Sequence, residues 1–204
     1  MLNIPNIQQA MSVFVAEELS EVLNTKVVIG RINMGLLNRI IIDDVLLDDQ
    51  SGQEMLKVTR LSAKFDIMPF FKGKISISSV QLFGFNINLR KETPDSPPNF
   101  KFVLDAFASK DTVKKENSLD LRINSILIRR GRMSYHVLSE EETPGKFNAK
   151  HIQLQNIIAN ISLKALSKDS LNLGIKRLSL DEKASGFSLK KMSLKLVANN
   201  KQTN

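Results

Sequence analysis

Histidine and cysteine, the side chains best suited to move a proton near neutral pH or to hold a transition metal, are scarce in this 204-residue sequence. It has two histidines, His136 and His151, and no cysteine. Disulfides, zinc–thiolate sites and Cys nucleophiles are therefore excluded together. His136 sits between Tyr135 and Val137 in an alternating stretch, which turns it away from the apolar side and predicts a solvent-side histidine. No G-x-S-x-G elbow frames a serine, and the nine glycines form no phosphate-cradling loop. The acidic stretch Asp43-Asp44, Asp48-Asp49, Gln50-Ser51-Gly52 and Glu54 offers oxygen ligands near a glycine. A calcium loop needs the order D-x-D-x-D-G with a Glu in the twelfth place, which is missing. D-D-Q-S-G between apolar runs reads better as a hairpin turn, with Asp holding the turn and Gly52 supplying positive φ. No set for acid–base or nucleophilic work remains, so the chain reads as non-enzymatic, with neither cofactor nor metal expected.

The elements that would carry function are apolar strands. The formal charge of +8 comes from Lys and Arg scattered singly, with small groups at Lys72 and Lys74, Arg129-Arg130-Arg132 and Lys190-Lys191. This is the pattern of solvated strand faces, and no groove-reading helix or aromatic–basic surface predicts nucleic acid. Pro5 to Leu23 has helical spacing, with Ile7, Met11, Phe14, Val15, Leu19, Val22 and Leu23 on one face. Asn24 and Thr25 end it. Such a helix can cap a sheet, lie on a membrane interface or dock a partner. Its acidic off-face residues, Glu17, Glu18 and Glu21, disfavour an anionic lipid surface.

From Lys26 the period is two. Strands are predicted over 26–35, 39–47, 55–67 and 74–90. Skips of phase at Gly30-Arg31, Ser78-Ser79 and Phe83-Gly84 mark bulges or bends. Thr93–Asn99 is a Pro-rich break, and Asn99 is placed to cap a short helix containing Phe100, Phe102, Val103, Leu104 and Phe107. Alternation resumes at Leu119 and continues through stretches near 147–163, 171–180 and 187–197. The predicted organisation is a helix over 1–25, a first sheet segment over 26–92, a break with a short helix over 93–117, and a second sheet segment over 118–204. The fold class is mainly β: a curved antiparallel sheet with an N-terminal amphipathic helix and one short inserted helix.

A sheet with one apolar face must bury it against something. Two helices are too few to roof so many strands, so the sheet either closes on itself or keeps a groove. Ile75, Ile77, Val80, Leu82, Phe85, Ile87 and Leu89 would line that groove, with Leu119, Leu121, Ile123, Ile126 and Ile128. Alternation alone does not separate groove from core. The alternative function is a β-rich interaction or adhesin-like domain that pairs through its edge strands.

The order of segments resembles a known family. PNIQQAMSVFVAEELSEVLNTKVVIGRINM is followed by NRIIIDDVLLDDQSGQEMLKVTRLSAKFDI, then FFKGKISISSVQLFGFNINLRK, then the Pro-rich break and NFKFVLDAF. This order is similar to the N-terminal periplasmic region of the TamB/AsmA-like family, of the Bacteroidetes type, over about Pro5 to Phe107. The remainder resembles the family only in strand habit. The resemblance implies a longer periplasmic protein, anchored in the inner membrane by a helix ahead of residue 1 and truncated at the C-terminal end here. It implies an open, taco-like β-trough that binds phospholipid acyl chains or hydrophobic clients in outer-membrane biogenesis. The partner it implies is an outer-membrane barrel of TamA/BamA type.

Overall fold

The computed structural model describes residues 5–35, 38–65, 75–108, 119–120, 124–166 and 170–199. Helix α1 (Pro5–Leu23) leads into β1 (Val27–Gly35), β2 (Arg39–Asp48), β3 (Glu54–Phe65) and β4 (Ile75–Lys91). Helix α2 (Lys101–Ala108) and the two-residue β5 (Leu119–Asp120) precede β6 (Ser125–Val137), β7 (His151–Leu166), β8 (Ser170–Glu182) and β9 (Ser188–Asn199). All strands belong to one sheet in the order β1-β2-β3-β4-β6-β7-β8-β9, with β5 beside β4. The sheet is mainly β architecture in its simplest form, curved and not closed into a barrel.

Two pairings depart from the expected antiparallel pattern, the two-residue β4–β5 contact and the long β4–β6 one. β4 and β6 run parallel, Val80 opposite Ile126 and Ile87 opposite Met133. The reason lies in the connection: parallel neighbours need a crossover of a dozen or more residues, commonly helical, and the Pro-rich break with α2 supplies it. The two predicted sheet segments thus join edge to edge within one sheet.

Helix α1 stops where the sequence places its end. Asn24 takes a left-handed φ of 48°, and its N–H bonds Glu21 O. The Gln50 amide donates to Leu23 O at 2.9 Å, tying the helix end to the β2–β3 turn. The buried face is narrower than expected. Val15, Ala16, Leu19 and Leu23 pack on Val27, Ile29 and Ile32 of β1, with Leu47 and Met55, and Ser12 is buried among them. Ser12 Oγ is satisfied by Gln8 O at 2.9 Å. Phe14 and Val22 lie instead on the solvent side, 62% and 42% exposed. The reason is angular: the predicted set spans more of the helix than one flat sheet can touch.

Asn99 does not cap α2. Its Oδ1 accepts from Arg90 N, its Nδ2 donates to Asn88 O, and its N–H bonds Arg90 O. The side chain thus imitates a strand backbone along β4, and Phe100, Phe102, Val103 and Ala106 then fall onto the same core as α1.

Candidate functional site

The inner face of the sheet is built of transverse rows, because residues paired across neighbouring strands share a face. One row runs Val27, Leu47, Leu56, Ile87, Met133, Leu154 and ends at Glu182. A third-of-the-way row holds Ile29, Val45, Val58 and Phe85, and continues through Gly131 to Ile157. Next comes Ile32, Ile42, Leu61, Leu82, Ile128, Ala159, Leu178 and Met192, one from each strand of the main path. A fourth is Met34, Ile40, Ala63, Val80, Ile126, Ile161, Ile175 and Leu194.

Between the second and third of these rows, each strand of the main path from β1 to β6 spends two residues before its next inward one, and β7 makes the same skip one row earlier, between Leu154 and Ile157. The pairs are Gly30-Arg31, Asp43-Asp44, Thr59-Arg60, Phe83-Gly84 and Arg129-Arg130, with Gln155-Asn156 as the displaced pair on β7. Left-handed φ angles fall in this line at Asp44, Gly84 and Arg130, and in the displaced skip of β7 at Asn156. The skips coincide, so β3–β4 and β4–β6 stay in step across it. An extra residue per strand on the outer side bends the sheet toward the inner side. At Gly84, φ is +64° and a Cβ would stand 2.7 Å from Thr59 Oγ1, so the site requires glycine.

The rows differ in cover. Val58, Phe85 and Ile157 are buried, and Val45, Leu61, Leu82, Ile87, Ile128, Met133, Leu154 and Leu180 pack against them. Phe85 reaches Ile157 across Gly131, where a Cβ would lie 2.4 Å from Phe85 Cζ. Phe85 is therefore a closed core residue and not a groove residue, because the glycine beneath it lets its ring fill the curve. The row through Val80 and Ile126 is only half-buried, and its two ends, Met34 and Leu194, are 62% and 48% exposed. Leu89 pairs with Tyr135 and is half-buried. Of Ile75, Ile77 and Leu119 only the backbone is described, with Ile75 opposite Leu119. Leu121 and Ile123 lie outside the described residues.

Polar anchors bound the apolar rows. Asp49 is 2% exposed and pairs with Arg90 at 2.6 Å. Burial pushes its carboxyl up, but donors on the Ser51 and Asn99 side chains and the Gln53 and Ser51 backbone outweigh this and hold it below its usual range. The hairpin-turn reading of D-D-Q-S-G therefore holds, with Gly52 at φ 77°. Glu182, also 2% exposed, accepts from Ser185 Oγ and from the N–H groups of Ser185, Ala184 and Gln153. Burial pushes it up too, yet these donors bring it from 4.5 to about 2.

On the outer side of the bend, Lys57, Thr59, Asn86, Arg130, Arg132 and Asn156 line a cleft of about 420 Å³. Arg130 lies 5.1 Å above the Phe83 ring. The sequence scatters these cations, and the register gathers them. The expectation of a solvent-side His136 is corrected as well. It faces away from the apolar side as alternation requires, but residues 138–150 fold back beside it, and His151 opposite is only 7% exposed. Neither Glu182 nor this histidine pair was nominated by spacing. The visible signal for the pair was two histidines flanking a polar loop with Glu140-Glu141-Glu142.

The chain matches no protein-family model and no curated protein. Among the described residues, no helix is long and apolar enough to cross a membrane.

Proposed function

We propose that this chain is a non-enzymatic scaffold that holds acyl chains or other apolar segments along the open rows of its inner face. The observation that carries the reading is the half-exposed row from Met34 through Val80 and Ile126 to Leu194, with Leu196 45% exposed beside it on the same side of β9. Burying an Ile or Leu side chain fully is worth about 1.5–3 kcal/mol. A row left half-open across eight strands therefore forgoes stability that an apolar occupant would restore. The resemblance in segment order extends the proposal to a place: a periplasmic part of an inner-membrane-anchored TamB/AsmA-like protein, serving phospholipid transport or outer-membrane protein assembly with a barrel partner.

Native mass spectrometry of the purified chain tests this. Co-purifying phospholipid supports it, as does loss of that lipid in Leu194→Glu and Leu196→Glu. A lipid-free wild-type chain that also takes up none from added vesicles counts against it. The second reading, strand pairing with a partner, rests on β9, a 12-residue edge strand. Lys190, Lys191 and Lys195 along it are the kind of charge that discourages indiscriminate edge pairing.

A further inference from the structure

We propose that His136, His151 and Glu142 form a binding site for a divalent transition metal of the zinc class on the outer side of the β6–β7 hairpin. The hairpin register sets His136 directly opposite His151, and their Nδ1 atoms lie 3.0 Å apart. Glu142 Oε1 stands 3.7 Å from His136 Nδ1 and 3.9 Å from His151 Nδ1. All three donor atoms thus converge on one point.

The tautomer of His151 is fixed by its other nitrogen. Nε2 lies 2.9 Å from the Glu140 carbonyl, which can only accept, so Nε2 carries the proton and Nδ1 presents its lone pair. A ring N–H held by a backbone carbonyl is the usual outer support of a metal-ligating histidine. The spacing suits zinc: nitrogens about 2.0–2.1 Å from a tetrahedral ion stand about 3.3 Å apart. The two rings need to separate by only a few tenths of an ångström. Glu142, 63% exposed at its side chain, closes the remaining gap by rotation. Glu140 is not available as a fourth ligand, because its carboxylate pairs with Lys150 at 2.7 Å. Two imidazoles and a carboxylate select a borderline ion over calcium or magnesium, and leave one position for water. Bound there, the ion would clip the 138–150 loop to the hairpin.

The test is titration of the untagged full chain with Zn²⁺ by calorimetry, and with Co²⁺ by visible absorption. Expected are one equivalent of Zn²⁺ bound, four-coordinate Co²⁺ bands, and a rise in melting temperature with the metal. His136→Gln and Glu142→Gln should each weaken binding by about tenfold or more, as loss of even an outer-shell partner does. His151 is too buried to substitute safely, so the two more exposed ligands carry the test. No stoichiometric binding by the wild-type chain, or wild-type affinity retained in both variants, would overturn the site.

Discussion

Two rows of the same sheet have nearly the same composition and different fates. The row through Val58, Phe85 and Ile157 is closed, whereas the row through Val80, Ile126 and Leu194 is open. Both are apolar on the inward side and both cross the sheet in register. What differs is what lies above them. Helices α1 and α2 lie over the Val27 and Ile29 end of β1 to β3, and Phe85 fills the bend over Gly131. Among the described residues, no helix covers the Val80 row. Apolar patterning fixes which side chains point inward, and the covering elements decide which of them become core.

The contrast can be broken by truncation. Ile29→Ala, at a buried position under α1, should cost about 2–5 kcal/mol in urea unfolding, because it leaves a cavity that a packed helix cannot fill. Leu194→Ala, at the open end, should stay within about 0.5 kcal/mol while reducing any bound lipid. Equal costs at the two positions would mean the rows do not differ as described. Gly131→Ala should cost about 1–3 kcal/mol by forcing the Phe85 ring off its seat. Phe85→Leu in the same chain should recover part of that loss, seen as non-additivity in a double-mutant cycle.

The closed end also carries a pH signature. Glu182 ends the Val27 row with a carboxyl held at about 2 against an ordinary 4.5. A depressed acid binds protons more readily unfolded than folded, so its contribution is complete above about 4.5 and is lost as pH falls toward 2. Asp49 is shifted the same way and adds to the slope. Unfolding midpoints in urea between pH 5 and pH 2.5 should therefore fall, and Glu182→Gln should flatten the profile in that window. A smaller change is expected from Phe14→Ser on the exposed side of α1, which should leave stability within about 0.5 kcal/mol.

Much of this arrangement was legible from alternation. The helix bounds, the strand faces and the skips at Gly30-Arg31 and Phe83-Gly84 all follow from local period, since side-chain direction in a strand is local. The skips at Asp43-Asp44 and Arg129-Arg130 become visible as one bend only once the strands are paired, because register is a long-range property. The parallel β4–β6 contact was hidden for the same reason. Val80 and Phe85 look alike in sequence, and only Gly131 on the neighbouring strand separates a packed ring from an open row. His136 and His151 meet because the loop between them returns in register, which neither residue signals by itself.

The chain has no cysteine, so a single one reports cleanly. The most direct measurement places a polarity-sensitive fluorophore on Leu194→Cys, inside the open row, and separately on Lys195→Cys, on the opposite side of the same strand. Addition of phospholipid should shift the emission at position 194 to the blue and leave position 195 unchanged. A shift of equal size at both positions, or at neither, would contradict an inner face that receives acyl chains.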